Sequence, residues 1–82
     1  MSSTSPNKVN IKAFSTLRRY VEDTEGVDVA LSKPETVADV LGRVGIPTEQ
    51  SRIIFVDGRK SDLTQVLAGG ENVSVFPAIG GG

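Results

Sequence analysis

The strongest constraint in this chain is a helix signal between Thr36 and Pro47. Thr36 can cap the first turn, Asp39 stands three residues on as the acid of a capping box, and Val37, Val40, Leu41 and Val44 repeat at the i, i+3, i+4, i+7 spacing of one apolar face. Gly45 suits the left-handed residue that closes a helix, and Pro47 prevents its resumption. Each of the four apolar side chains, fully buried, contributes about 1.5–3 kcal/mol. In a chain of 82 residues, with room for one domain and one small core, the rest must wrap this helix.

The flanking segments read as strands. Val9, Ile11 and Ala13 alternate with Asn10, Lys12 and Phe14, the period-2 pattern of a strand buried on one face, and Val27, Val29 and Leu31 repeat it. Between them, Ser15 to Gly26 is charged but holds Leu17, Tyr20 and Val21, so a solvated loop with a short helical turn is expected there. After the helix, Ile53 to Val56 is continuously apolar and leads through the Asp57-Gly58 turn into a short strand around Arg59 and Lys60. Asp62 can cap a single helical turn over Leu63 to Leu67, which stops at Ala68, Gly69 and Gly70. Val73 to Phe76 is the last strand. Two strands, a crossover helix and returning strands give an α+β roll, a mixed four- to five-stranded sheet packed on one main helix.

Absences narrow the chemistry. The chain has no Cys and no His, which excludes thiol nucleophiles, thiolate metal sites and imidazole bases, and leaves isolated Ser, Asp and Lys with nothing to activate them. It reads as a protein that is not an enzyme on its own and has no metal site. The formal net charge is −1 with no basic stripe, so nucleic acid is not an expected partner. No segment has the apolar length of a membrane span, and residues 1–7 lack the pattern of a secretion signal. The expected layout is a disordered arm at 1–7, a domain at 8–77 and a flexible tail at 78–82, in a cytoplasmic protein.

After Phe76 the sequence runs Pro77, Ala78, Ile79, Gly80, Gly81, Gly82. Ordering glycine backbone costs about 1–2 kcal/mol per residue, so a mobile tail is expected. A tail without Cβ atoms can pass through a narrow channel and present the Gly82 carboxylate to another enzyme. Frayed chain end or cloning scar is the other reading, and the glycines alone do not choose between them.

The whole pattern resembles the ubiquitin-like β-grasp fold, and specifically the small sulfur carriers of the molybdopterin-synthase small subunit and thiamin sulfur carrier type. The resemblance runs from Val9 to Gly82. It is carried by Phe14 to Arg18, Glu35 to Leu41, Val56 to Arg59 and, most specifically, Gly70 to Gly82. This chain departs from the family's habit in having Gly70-Glu71 before the last strand, Pro77-Ala78 in place of a double proline, and Gly80 in place of a small residue such as alanine. Gly81 and Gly82 then match the functional glycine pair.

The resemblance implies a carrier cycle. A ubiquitin-activating-type adenylyltransferase, using ATP and Mg, would adenylate the Gly82 carboxylate. A protein persulfide would displace AMP to leave a thiocarboxylate, and the sulfur would pass to a synthase of the molybdopterin large-subunit or thiazole-synthase type. No cofactor is expected to be bound to the chain itself. The missing cysteine fits, because no side chain here could carry the sulfur. Gly80 and Gly81 would thread into the partner. Phe76 matches the aromatic that contacts the activating enzyme in similar proteins, and Pro77, Ile79 and Ile54 are assigned with it to the partner-binding surface, where an exposed Phe76 beside Ile54 or Ile53 would form an apolar binding patch. Alternatively, Phe76 covers the sheet edge or packs under the loop after the first strand. Arg59 and Lys60 read as a solvated hairpin, with pairing to acidic partner residues as the other option. Two further functions share these features: a ubiquitin-like modifier conjugated to lysine through Gly82, and a β-grasp interaction module with an inert end. The aromatic-proline ending leans toward the molybdopterin pathway.

Overall fold

The computed structural model describes residues 7–21 and 25–78. Its elements are β1 (Lys8–Ala13), a 3-10 helix (Ser15–Tyr20), β2 (Val27–Ala30), β3 (Glu35–Thr36), α1 (Val37–Val44), a second 3-10 turn (Thr48–Gln50), β4 (Ile53–Val56), β5 (Arg59–Ser61), β6 (Val66–Leu67) and β7 (Asn72–Phe76). Period-2 alternation produces the sheet: Val9, Ile11 and Ala13 of β1 and Val73 and Val75 of β7 are buried, while their neighbours along each strand turn outward. Five strands assemble in the order β2-β1-β7-β4-β5. β7 lies in the middle, parallel to β1 and antiparallel to β4. This is the mixed sheet on one main helix that the segment order implies.

α1 forms as its sequence dictates. Asp39 N–H donates to Thr36 Oγ1 at 3.1 Å, and Thr36 N–H donates to Asp39 Oδ2 at 3.3 Å, closing the capping box. Gly45 ends the helix at φ +96°. Val37, Val40 and Leu41 pack onto the inner face of the sheet with no exposure, joined by Leu17 from the first 3-10 helix. The stretch after the first strand thus contains the short helical turn expected there.

Two expectations are corrected. Leu63 to Leu67 is not a helical turn: Leu63 and Thr64 form a plain turn, and Val66–Leu67 is β6, paired with β3. The carbonyls of Leu63 and Gln65 accept the Ala38 and Val37 N–H groups at 3.0 and 2.9 Å. Those donors have no partner inside α1, so the segment caps the helix rather than forming one. Ile54, assigned to the partner-binding surface, is 2% exposed and packs in the core. It lies opposite Val75, whose side chain also points inward.

Candidate functional site

With Ile54 and Val75 fixed inward, the register assigns the opposite parity of each strand to the outer face. One row across the sheet reads Lys12, Ser74, Phe55, Lys60. The next row, toward the end of β7, places Ile53 opposite Phe76. Phe14 completes it, because its N–H donates to the Val75 carbonyl at 3.0 Å and extends the β1 alternation one residue past the strand. The apolar run of β4 therefore serves both faces: Ile54 and Val56 toward the core, Ile53 and Phe55 outward.

These residues make an aromatic cluster. Phe14 and Phe76 stack with ring centroids 4.6 Å apart and planes 11° from parallel, and Phe55 meets Phe76 edge-on at 6.0 Å and 82°. Aromatic pairs in such geometries contribute about 0.5–1.5 kcal/mol each beyond their buried area. Phe14 remains 37% exposed, and Phe76, Phe55, Ile53 and Pro77 are half-buried. Ser15, at φ +60°, turns the chain sharply behind Phe14, and Leu17 N–H donates to the Phe14 carbonyl at 3.1 Å. Leu17 then plugs the core, so Phe14 is held on a fixed stem.

Phe76 thus does pack beside the start of the loop after the first strand, against Phe14, while the combined patch stays open to solvent. Phe14 and Phe55 were not among the site residues expected from sequence. The signal was present for Phe14, which continues the outward parity of Asn10 and Lys12, but its neighbour across the sheet depends on the parallel β1–β7 pairing. Phe55 sat in a run whose parity only β7 decides.

β7 delivers the chain to this patch. Arg52 N–H donates to the Phe76 carbonyl at 3.1 Å, the final rung before Pro77 and the exposed Ala78. Ile79, Gly80, Gly81 and Gly82, the tail assigned to threading and to chemistry, lie outside the described residues, as do residues 1–6 of the expected arm. Among the described residues no group of three or more Asp, Glu, His or Cys could hold a metal ion, and no helix is long and apolar enough to cross a membrane.

The sequence profile of the family described as Mut7-C ubiquitin matches residues 7–80. A comparison with curated proteins found no match. Among solved structures, a Pyrococcus furiosus protein described as molybdopterin converting factor subunit 1 is similar with a TM-score of 0.65 at 22% identity, over 88% of this chain and 98% of its own. SAMP1 from Haloferax volcanii is similar with a TM-score of 0.67 at 25% identity, over 92% of this chain and 99% of its own. A second structure, of H. volcanii small archaeal modifier protein 1, gives 0.68 at 22% identity, over 88% and 98%. The solved relatives share the sheet-on-helix architecture over almost their entire length, and the profile covers nearly all of this sequence. The chain belongs to the Mut7-C ubiquitin family and has the ubiquitin-like β-grasp fold.

Proposed function

We propose that this protein is a sulfur carrier that works through Gly82, with the aromatic face as its docking surface. The observation that carries the reading is the placement of β7: the central strand of the sheet ends beside Phe14, Phe76 and Phe55 and leads directly into Pro77 and the glycine sequence. A partner that grips the face therefore receives the tail at a fixed origin.

In the proposed cycle a carboxylate oxygen of Gly82 attacks the α-phosphorus of ATP on the activating enzyme, and pyrophosphate leaves. The terminal sulfur of a protein persulfide then attacks the acyl carbon and AMP leaves. A thiol of the donor protein breaks the resulting S–S bond, so the donor is oxidised to a disulfide and Gly82 keeps a thiocarboxylate. Glycine suits this position because a Cβ would crowd both attacks. With no cysteine, the chain offers the sulfur no competing side chain. A synthase large subunit of the molybdopterin type is the favoured acceptor, in line with the Phe76-Pro77 ending and the described role of the Pyrococcus relative. A thiazole synthase comes next.

The similarity to small archaeal modifier protein 1 supports a second reading, in which the same activated carboxyl is transferred to a lysine amine. Intact-protein mass after coexpression with the activating enzyme separates the two. Replacement of one oxygen by sulfur is expected on the carrier reading, and reductant-resistant conjugates of higher mass on the modifier reading. Deleting Gly82 is expected to abolish sulfur transfer and leave the circular dichroism spectrum unchanged. If the shortened chain still delivers sulfur, the proposal fails.

A further inference from the structure

We propose that Pro77 is a positioning residue: lacking an N–H, it ends the sheet at Phe76 and withholds the residues after it from pairing, so that they are available to the activating enzyme. The inference rests on the carrier reading, because only a tail that must leave the domain gains from such a stop.

The β1–β7 ladder shows where its next rung would fall. Asn10 N–H donates to the Glu71 carbonyl and Phe14 N–H to the Val75 carbonyl, each at 3.0 Å, in a register that sets Asn10 beside Asn72 and Ala13 beside Val75. In a parallel pair each such residue of one strand accepts in return from the residue that follows its neighbour on the other. Carried one step on, the register sets Phe14 beside Phe76 and asks residue 77 to donate to the Phe14 carbonyl. Residue 77 is proline and has no N–H to give. The Phe14 carbonyl accepts Leu17 N–H instead, at 3.1 Å, where Ser15 at φ +60° turns the chain away from β7.

The opposite flank is closed at the same level. The β4–β7 register, carried two residues past Ile53 and Phe76, sets Ser51 against Ala78. Ser51 is 4% exposed and already committed: its N–H donates to the Thr48 carbonyl at 3.1 Å and its hydroxyl to the Pro47 carbonyl at 2.8 Å. Arg52 N–H reaches back to the Phe76 carbonyl. Pro77 and Ala78 accordingly belong to no strand.

Of these devices Pro77 is the one that decides. A carbonyl oxygen has two lone pairs, so the bond from Leu17 leaves the Phe14 carbonyl able to accept a second donor. An ordinary residue at position 77 would supply it and add a rung. Each residue taken into the sheet removes about 3.5 Å of reach from a tail that has only residues 78–82 to spend.

The test is Pro77→Ala in the full chain. The new N–H at position 77 is expected to be protected from hydrogen exchange. The kcat for adenylation of Gly82 is expected to fall roughly three- to tenfold, the net worth of one hydrogen bond that must break before the tail enters the enzyme. KM is expected to change less than kcat, since the domain still docks. N-methylalanine at position 77, introduced by semisynthesis, removes the donor again without restoring the ring and is expected to recover the wild-type kcat. Exchange at position 77 as fast as in an unfolded peptide overturns the inference. So does N-methylalanine that stays as slow as alanine, which would assign the effect to the lost ring. Adenylation of the wild type with an unchanged kcat in a protected Pro77→Ala variant sinks this inference alone. Protection in the variant together with a wild type that the enzyme does not adenylate sinks the carrier reading, while the stop in the ladder stands.

Discussion

A Cβ placed on Gly26 would lie 2.7 Å from Asn10 Oδ1, 2.7 Å from the Ile11 carbonyl oxygen and 2.8 Å from Lys12 Cγ. The backbone there has φ +92°, so alanine would meet both a left-handed conformation and the backbone of β1. Gly45 has a similar φ of +96° but open space around it. The pair separates conformation from contact. Gly45→Ala is expected to cost about 1–2 kcal/mol in urea denaturation, the left-handed penalty alone. Gly26→Ala is expected to cost clearly more, because β1 must move. In the sequence Gly26 reads only as punctuation before a strand. Its tight fit arises from the antiparallel β1–β2 pairing, which no local pattern announces.

Elements differ in how far they announce themselves. α1 was legible in full because its cap, its apolar spacing and its closing glycine are all local, and every one of them is found in the fold. Replacing Thr36 by alanine removes the acceptor for Asp39 N–H and is expected to cost about 1 kcal/mol, read as a lowered denaturation midpoint with unchanged slope. Asp39→Ala removes the reciprocal bond and is expected to cost less, since at 3.3 Å it is the longer of the two. β6 was not legible. It has two residues, its partner β3 also has two, and some thirty positions separate them, so propensity for a helical turn over Leu63 to Leu67 was the only local cue. Tertiary demand overrode it, as the unsatisfied N–H groups of α1 recruited the carbonyls of that segment. Of the five strands of the main sheet, β1, β2 and β7 were legible from their alternation, β4 from its apolar run and β5 from the turn before it, but not their order.

Across the whole molecule the inner and outer faces of β4 have different work, and their energetics should separate accordingly. Ile54→Ala empties a core position and is expected to cost about 2–5 kcal/mol of stability. Phe76→Ala loses two aromatic contacts on a half-buried face and is expected to cost less in denaturation while weakening association with the proposed activating enzyme more. The reading of Ile54 as surface failed for a physical reason: in four consecutive apolar residues the parity is set by the neighbouring strand and not by the run itself. The outward parity of Phe76 was readable, since Val73, Ser74, Val75 and Phe76 alternate openly. The parallel setting of β7 against β1 has a mechanical consequence. Tension applied through Gly80 to Gly82 would act along β7 and load the rungs on both of its flanks in shear, all together rather than one after another. An enzyme can therefore tug on the end of this chain without unzipping its sheet.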